Sequence, residues 1–450
     1  MKKRLLAIVL ASVMVVGMLS GCGAKSDTSA AKEDGSAKTE EVEGAKEPEA
    51  TEEPVDEPVE ITMLINSNMS LAGVKAACAV IEEKSGIKVE IEALAGGSGD
   101  NVVKTRLASG DMADICTYNA GSLLQALNPS EYFIDLSGEE WIDRLDDTFR
   151  STVTFDGNVY GVPTASTQIG AILYNKEIYA KYNLEVPTTW EEFLKNCDIL
   201  KEAGENAIIG SFGDSWTTQV LYLGDHYNVM KAVPDFAEKF GAGEAKYATS
   251  PAGLESFQKL ADTQPYYNAD YMATTYDDAC DMLVNGEGAH WVMLTQALTN
   301  IYDLYGDDVN KIGLFGIPGE EDPGLTVFIQ GTLLGNKNSD KQDAIKRFME
   351  LYISEEALDA YTAAVLPDGP YSIKGYELPD NVYDAIKDAQ KYFADGKTVT
   401  ALEFQTPVKG PNLPAICQEV GSGLITAEEA AKAYDDDCLK QAMQLGLDWK

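Results

Sequence analysis

Apolar and polar residues alternate in short blocks along the first part of the folded body. An alternating run over 59–65 predicts a strand, and apolar residues at helical spacing over 74–84 predict a helix. Residues 87–91 predict a second strand, 101–108 a second helix and 113–116 a third strand. Strands that alternate with helices are typical of an α/β layer built on a mostly parallel sheet.

Polar residues follow the predicted strands at the point where each strand ends. Asn68 lies after the first strand, and Tyr118 and Asn119 lie after the third. Ligands of such sheets bind outside the carboxyl ends of the strands. An aromatic ring offers a ligand a packing surface, and the two asparagine amides offer hydrogen-bond donors and acceptors. We therefore expect these three residues to contact a ligand.

The segment before the folded body has the layout of a secretory signal. Lys2, Lys3 and Arg4 precede an apolar run over 5–18, which is too short to span a bilayer comfortably. Leu19-Ser20-Gly21-Cys22 follows and resembles the bacterial lipobox, in which the cysteine thiol receives a diacylglyceryl group and becomes the mature N-terminus. We expect a lipoprotein signal peptide over 1–21, and membrane anchoring through Cys22.

Residues 22–58 are rich in Ala, Ser, Thr, Glu, Lys and Pro, with almost no large apolar side chains. Such a segment cannot bury enough apolar surface to offset the entropy of ordering, so the sequence predicts a disordered acidic tether. Its charge and prolines extend it, which would hold the folded body away from the membrane.

Charge and composition exclude several classes of partner. The chain has 73 acidic and 35 basic residues, a net charge of −38, which disfavours nucleic acid and anionic membranes as partners. Its seven cysteines form no C-x-x-C pair, and its two histidines fall in no metal-ligand spacing. We expect no metal and no cofactor. Whether the six cysteines after Cys22 pair or stay as buried thiols is open from the sequence.

At this point the chain resembles a known family. Ser85-Gly-Ile-Lys-Val-Glu-Ile91 and Ala108-Ser-Gly-Asp-Met-Ala-Asp114 are similar to the opening of the extracellular solute-binding proteins of ABC importers, of the maltose-binding type. Further segments continue the resemblance in order, namely 160–163, 173–178, 184–193, 285–293, 312–319, 338–348 and 426–450. The order of the segments is more specific than any one of them.

The resemblance implies an α/β, two-lobed periplasmic-binding-protein fold, class II-like, with a hinge of crossing strands and a ligand cleft between the lobes. Crossings are implied near 164–168, 328–332 and 378–383. The expected lobe 1 then comprises 59–166 and 330–380, and lobe 2 comprises 167–329 and 381–450. A ligand that touches both lobes favours the closed state, which a permease can recognise.

The remaining candidate ligand contacts lie beyond the first crossing. Asp214 and Trp216 follow a predicted strand end at 208–209 and combine a carboxylate with an aromatic face. Gln296 stands where the family often has a tryptophan after a strand, so it can bond a hydroxyl but cannot stack, which puts long linear maltodextrins in doubt. Trp291, within that strand, is a candidate contact or a core residue. Gln330 and Asp368 complete the set.

The sequence therefore predicts a lipid-anchored, monomeric substrate-binding protein on the extracellular or periplasmic face, which captures a mono-, di- or short oligosaccharide and delivers it to an ABC permease. A polyamine or peptide receptor is the alternative, in which Asp114, Asp214 or Asp368 would supply a countercharge. A secreted glycoside hydrolase is a distant alternative, because carboxylate pairs carry no information in so acidic a chain. We expect no enzymatic activity.

Overall fold

The computed structural model describes residues 59–65, 69–94, 99–329 and 331–449. The lipidation site Cys22, the predicted signal peptide and tether, and the candidate contacts Asn68 and Gln330 lie outside the described residues. Within these ranges, no helix is both long enough and apolar enough to cross a membrane.

Twelve strands are present in the described part of the chain. They are β1 (Val59–Ile65), β2 (Ile87–Ala93), β3 (Ile115–Tyr118), β4 (Thr154–Phe155), β5 (Asn158–Val159), β6 (Gly161–Pro163), β7 (Gln168–Asn175), β8 (His290–Leu294), β9 (Ile312–Phe315), β10 (Leu325–Phe328), β11 (Thr332–Gly335) and β12 (Thr398–Thr400).

The helices fall between and after these strands. They are α1 (Leu71–Ser85), α2 (Gly99–Ser109), α3 (Ser122–Gln125), α4 (Pro129–Tyr132), α5 (Asp147–Thr152), α6 (Lys176–Tyr182), α7 (Trp190–Glu202), α8 (Val220–Gly224), α9 (His226–Ala232), α10 (Phe236–Gly241), α11 (Pro251–Thr263), α12 (Tyr276–Asn285), α13 (Gln296–Tyr305), α14 (Gln342–Tyr352), α15 (Glu355–Ala364), α16 (Asp384–Ala394), α17 (Leu413–Gly421) and α18 (Ala427–Gln444). Short 3-10 turns occupy Glu140–Arg144, Ser215–Gln219, Tyr247–Thr249, Gln264–Tyr266, Gly306–Lys311 and Leu402–Phe404.

Two five-stranded sheets organise these elements, and each is the centre of one lobe. The sheet of the first lobe has the order β2-β1-β3-β11-β6, with β1 parallel to both β2 and β3 and with β11 antiparallel to its neighbours. In the second lobe, β8 pairs with one edge of β7, and β10 and β9 share the other edge. These three pairings are antiparallel, so the predicted mostly parallel sheet describes the first lobe only.

The second sheet is covered on both faces, as its central strand shows. Ile169, Ala171 and Leu173 of β7 are buried in one apolar cluster, and Ile172 is buried in another. Successive side chains of a strand point to opposite faces, so both faces of the sheet are packed against helices. The cluster around Ile172 also contains the terminal helix α18.

The chain passes between the sheets twice, from β6 to β7 through 164–167 and from β10 to β11. A third passage lies between Ile373, which packs in the first lobe, and Val382, which packs in the second. We call segment 164–167 the first crossing segment, and we call segment 366–372, which leads up to the third passage, the third crossing segment. They lie side by side, because the backbone N–H of Thr167 donates to the carbonyl of Pro370 at 2.7 Å.

All six cysteines of the described residues are buried free thiols. Burial raises the pKa of the Cys116 thiol to about 12, which leaves it protonated and unreactive at neutral pH. The question that the sequence left open is thereby answered, because these side chains pack as small apolar groups rather than as disulfides.

Candidate ligand-binding site

A cavity of about 650 Å³ lies between the two lobes. The first lobe contributes the start of α1 and the end of α15, and the second contributes the start of α12 and the face of α13. The first and third crossing segments also contribute residues. The lining residues are Met69, Ser70, Ala72, Ala165, Ser166, Tyr276, Gln296, Thr299, Asn300, Tyr302, Asp303, Tyr361, Ala363–Asp368, Asn381 and Tyr383.

Local packing explains how α1 and α15 bring their residues to this cavity. The Ser70 hydroxyl accepts a hydrogen bond from the Gly73 N–H at 3.3 Å and so starts α1 at the cavity wall. Gly73 lets α15 approach, because a Cβ at this position would lie 2.6 Å from the Tyr361 ring. The buried ring of Tyr361 is thereby held beside Ser70 at the cavity wall.

Four tyrosines give the cavity its aromatic surface. Tyr276 and Tyr383 are buried residues of the second lobe, and their hydroxyls make no well-formed hydrogen bond within the described residues. Tyr302 lies at the rim with its ring centroid 5.7 Å from that of Tyr383. Burial raises the pKa of the Tyr276, Tyr361 and Tyr383 phenols, so each stays protonated and able to donate.

Polar groups meet where the crossing segments reach the cavity. Asp368 is only 6% exposed, and its Oδ1 accepts a hydrogen bond from the Ser166 hydroxyl at 2.6 Å. Nearby, the Gln168 side-chain amide donates to Gln296 Oε1 at 2.9 Å. Burial raises the pKa of Asp368 to about 6, although the hydrogen bond from Ser166 opposes this shift. The cavity therefore combines aromatic faces with both donors and acceptors.

The structure brings two of the sequence-predicted contacts into this cavity, Gln296 and Asp368. The predicted strand around 289–296 ends earlier, at Leu294, and α13 begins at Gln296. The first turn of that helix directs Gln296 toward the crossing segments, where it meets Gln168. Gln296 is half-buried and Asp368 is buried, and both line the cavity between the lobes.

Asp214 and Trp216 lie directly behind the cavity and do not line it. Asp214 Oδ2 accepts a hydrogen bond from the Tyr276 backbone N–H at 2.7 Å, and the Trp216 ring centroid is 5.4 Å from that of Tyr276. Both residues are half-buried. They therefore support Tyr276, one of several lining residues that were not predicted from the sequence.

Tyr118 and Trp291, two of the expected contacts, do not line this cavity. The third strand extends two residues further than predicted, so that Tyr118 pairs with Thr332 of β11 and is buried in the first lobe. Asn119, the next residue, is half-buried and also lies outside the lining. Trp291 is a core residue, 1% exposed, whose Nε1–H donates to the Ser211 hydroxyl at 3.1 Å.

Asp114 has a structural role at the opposite end of the strands, and it is not a countercharge in the cleft. It accepts hydrogen bonds from the Thr62 N–H at 2.9 Å and from the Ser339 hydroxyl at 2.6 Å, and it pairs with Lys341 at 3.2 Å. Burial alone would raise the pKa of this carboxyl, but these partners hold it below its usual value. Asp114 thus joins β1, β3 and the segment before α14.

No group of acidic, histidine or cysteine side chains among the described residues is arranged to hold a metal ion. Nor does any lysine, arginine or histidine of the described residues line the cavity, whereas two carboxylates, Asp303 and Asp368, do. The chemistry of the site is therefore that of hydroxyls, amides, carboxylates and aromatic rings.

Comparison with known proteins agrees with this architecture. The model of the family described as bacterial extracellular solute-binding protein matches residues 70–359. The multiple sugar-binding protein of Streptococcus mutans is 26% identical over 314 residues, which is 66% of this chain and 72% of that protein. The melibiose/raffinose/stachyose-binding protein MelE of Bacillus subtilis is 28% identical over 137 residues, 30% of this chain and 31% of that protein.

Solved structures show the same fold at low sequence identity. A chitin oligosaccharide binding protein has a TM-score of 0.72 at 19% identity, covering 86% of this chain and 99% of its own. The apo form of RafE from Streptococcus pneumoniae has a TM-score of 0.70 at 18% identity, covering 85% of this chain and 98% of its own. The fold is therefore the α/β, two-lobed fold that the sequence predicts.

Proposed function

Since the chain belongs to the bacterial extracellular solute-binding protein family, we propose that it is the substrate-binding component of an ABC importer and that it captures a small carbohydrate between its two lobes. The observation that carries this proposal is the cavity between the lobes, in which tyrosines from both sides surround hydroxyl, amide and carboxylate groups. Sugars offer C–H faces that pack on aromatic rings and hydroxyls that need donors and acceptors.

The names of relatives support a carbohydrate as the ligand. The relatives above are named for multiple sugars and for melibiose, raffinose and stachyose, and RafE has a structure in complex with raffinose. These family members are binding proteins, and the present chain is proposed to bind its ligand without catalysis. A mono-, di- or short oligosaccharide also fits the size of the cavity, since pockets for small ligands typically measure about 300–1,000 Å³.

Ligand capture is proposed to close the two lobes about the three crossings. The first lobe would comprise 59–166 and 330–380, and the second 167–329 and 381–450. Ser166 and Asp368 belong to crossing segments, whereas Tyr276 and Tyr361 belong to opposite lobes. A ligand that bonds all of them is bound more tightly in the closed state, and this difference in affinity drives closure.

Thermal unfolding of the folded body tests the proposed ligand class. A ligand that binds only the folded state raises the melting temperature as its concentration rises. We expect melibiose, raffinose or N,N′-diacetylchitobiose to raise it, and a compact shape to appear by X-ray scattering at saturation. Stabilisation by spermidine or a tripeptide in place of any sugar would contradict the proposal and favour the polyamine or peptide alternative. Sugar cleavage in the mixture would identify an enzyme.

Anchoring at the extracellular or periplasmic face is a second part of the proposal. Leu19-Ser20-Gly21-Cys22 supports lipidation of Cys22, and the acidic segment 22–58 would then tether a monomeric body near its permease. Cys22→Ser should move the protein from the membrane fraction to the soluble fraction. A mutant that stays in the membrane fraction after its signal has been removed would contradict lipid anchoring.

A further inference from the structure

The cavity contains one desolvated carboxylate without a cationic partner. Asp368 is buried, and the Ser166 hydroxyl is its side-chain donor at 2.6 Å, with the Gln168 amide close by. Among the described residues that line the cavity there is no lysine, arginine or histidine. The second lining carboxylate, Asp303, is exposed at the rim. The site is therefore negatively charged at its floor and at its edge.

The hydrogen-bonding capacity of Asp368 exceeds what the protein supplies. A carboxylate can accept about four hydrogen bonds, and Ser166, Gln168 and the backbone N–H of Asp368 itself account for at most three of them. A ligand in the cavity can fill the rest with hydroxyl or ammonium hydrogens. A ligand carboxylate or phosphate would instead place a second negative charge beside the first, in a region where water screens charges poorly.

We infer that Asp368 sets the charge class of the ligand: it accepts a hydroxyl or ammonium hydrogen from the bound sugar, and the cavity rejects sugars that carry a carboxylate or a phosphate. This inference rests on the proposed carbohydrate function and makes it narrower, since neutral sugars and amino sugars remain while uronates and sugar phosphates are excluded. The accepted ligands share one feature, which is a hydroxyl or ammonium group that donates a hydrogen bond to the carboxylate.

The same geometry predicts a dependence of binding on pH. Tyr276, Tyr361, Tyr371 and Tyr383 are the titratable groups that lie around Asp368, and burial keeps all four protonated at neutral pH. Asp368 is then the group that titrates near neutrality, because burial raises its pKa to about 6. Affinity for a neutral sugar should fall as the pH drops below about 6, where the carboxyl no longer accepts in the same way.

Calorimetric titration with matched sugars tests the inference. One set is galactose, galactosamine and galacturonate, and the second is cellobiose, the β-1,4-linked glucosamine dimer and cellobiouronate. In the set that binds, the neutral or amino member should bind at least about tenfold more tightly than the uronate. Asp368→Asn should lower the affinity for the neutral or amino sugar by about tenfold or more. It should also reduce the ratio of this affinity to the affinity for the uronate. Asp436→Asn makes the same charge change on the exposed side of α18, and it should leave both the affinity and the preference over the uronate unchanged.

Each result bears on one claim. A uronate that binds as tightly as its neutral counterpart, or a folded Asp368→Asn protein with unaltered affinities, would overturn the charge inference while the carbohydrate function stands. Failure of every sugar here and in the thermal panel would overturn the proposed function itself. If Asp368→Asn does not fold, calorimetric titration of the wild type with the neutral sugar at pH 7 and pH 5 tests the role of Asp368 instead. Equal affinities at the two pH values would refute that role.

Discussion

Gly369 packs against the backbone of Thr167 so closely that a Cβ added at position 369 would lie 2.1 Å from the Thr167 carbonyl oxygen. The Thr167 N–H and hydroxyl both donate to the Pro370 carbonyl, at 2.7 Å and 2.9 Å. The first and third crossing segments are thereby joined along their length. The joined pair also carries Ser166 and Asp368 into the cavity, so the first crossing and the cavity lining share one piece of backbone.

Gly369→Ala should therefore destabilise the protein. The neighbouring atom is a backbone oxygen that cannot turn aside, so the two segments must separate, and the free energy of unfolding should fall by about 1–3 kcal/mol. Urea unfolding measures the change. Gly138→Ala is the matched control, because a Cβ there meets nothing within 4 Å. A Gly369→Ala protein as stable as Gly138→Ala would show that the crossing segments separate easily.

The elements of the first lobe could be predicted because their signals are local. The strand expected over 59–65 is β1 in full, and the helix expected over 74–84 begins three residues earlier, where Ser70 caps α1. The third strand begins two residues later than the sequence predicts. Asp114, which falls within the predicted strand, is bonded to Thr62 and Ser339 before β3 begins.

The site was harder to predict, because its residues meet through the tertiary fold. Ser166 and Asp368 bond each other across 202 positions of sequence. Tyr276 begins α12 and Tyr383 immediately precedes α16, where no strand-end pattern draws attention to them. The rule that ligands bind at strand ends points to Trp216, which packs against the lining residue Tyr276 but does not itself line the cavity. Helix starts near the crossings line the cavity instead.

Lys259 forms a buried ion pair in the second lobe. Its ammonium lies 2.6 Å from Asp225 Oδ1, both side chains are 1% exposed, and it also donates to the Pro318 carbonyl at 2.8 Å. Lys259→Met leaves the Asp225 carboxylate buried without its countercharge, which should cost about 3–5 kcal/mol of stability.

The control for this change is Lys88→Met. Lys88 pairs with Glu60 at 2.8 Å, but both side chains are largely exposed, so water already screens the pair and its loss should leave the melting temperature nearly unaltered. Thermal unfolding of both variants measures the contrast. Equal melting temperatures for the two variants would show that the Asp225–Lys259 pair is not needed for stability.

Protonation of His290 should destabilise the protein in mild acid. Its Nδ1 lies 2.7 Å from the Ala207 carbonyl and its Nε2 lies 2.8 Å from the Tyr179 hydroxyl, in a fully buried position. Burial lowers the pKa of His290 to about 4. The unfolded chain, with a pKa near 6.5, binds more protons between these values, so stability is lost as the pH falls from about 6.5 toward 4, by about 3 kcal/mol in all.

His226 and Asp368 also change the free energy of unfolding as the pH falls. Burial lowers the pKa of His226 to about 3, so His226 adds to the loss of stability in acid. Burial raises the pKa of Asp368 to about 6, so Asp368 opposes that loss between about pH 6 and 3.8. Urea unfolding at pH 7 and pH 5 should give a lower free energy at pH 5. His290→Gln should reduce this difference whatever its effect at pH 7, and an unchanged difference would assign the acid sensitivity to other groups.

Trp216 should affect ligand binding through Tyr276. The two rings are 5.4 Å apart, and Tyr276 is also packed against Trp291 at 5.3 Å, so Trp216 fixes one side of a ring that lines the cavity. Aromatic pairs contribute about 0.5–1.5 kcal/mol beyond the area they bury, so Trp216→Ala should weaken sugar binding by about three- to tenfold and lower the melting temperature.

Trp141→Ala is the matched control, since Trp141 is likewise half-buried but lies in the first lobe outside the cavity lining. It should lower the melting temperature and leave calorimetric affinity unchanged. Equal affinities for the two variants would mean that Tyr276 keeps its position without Trp216, and a loss much greater than tenfold would mean that Trp216 itself reaches the ligand when the lobes close.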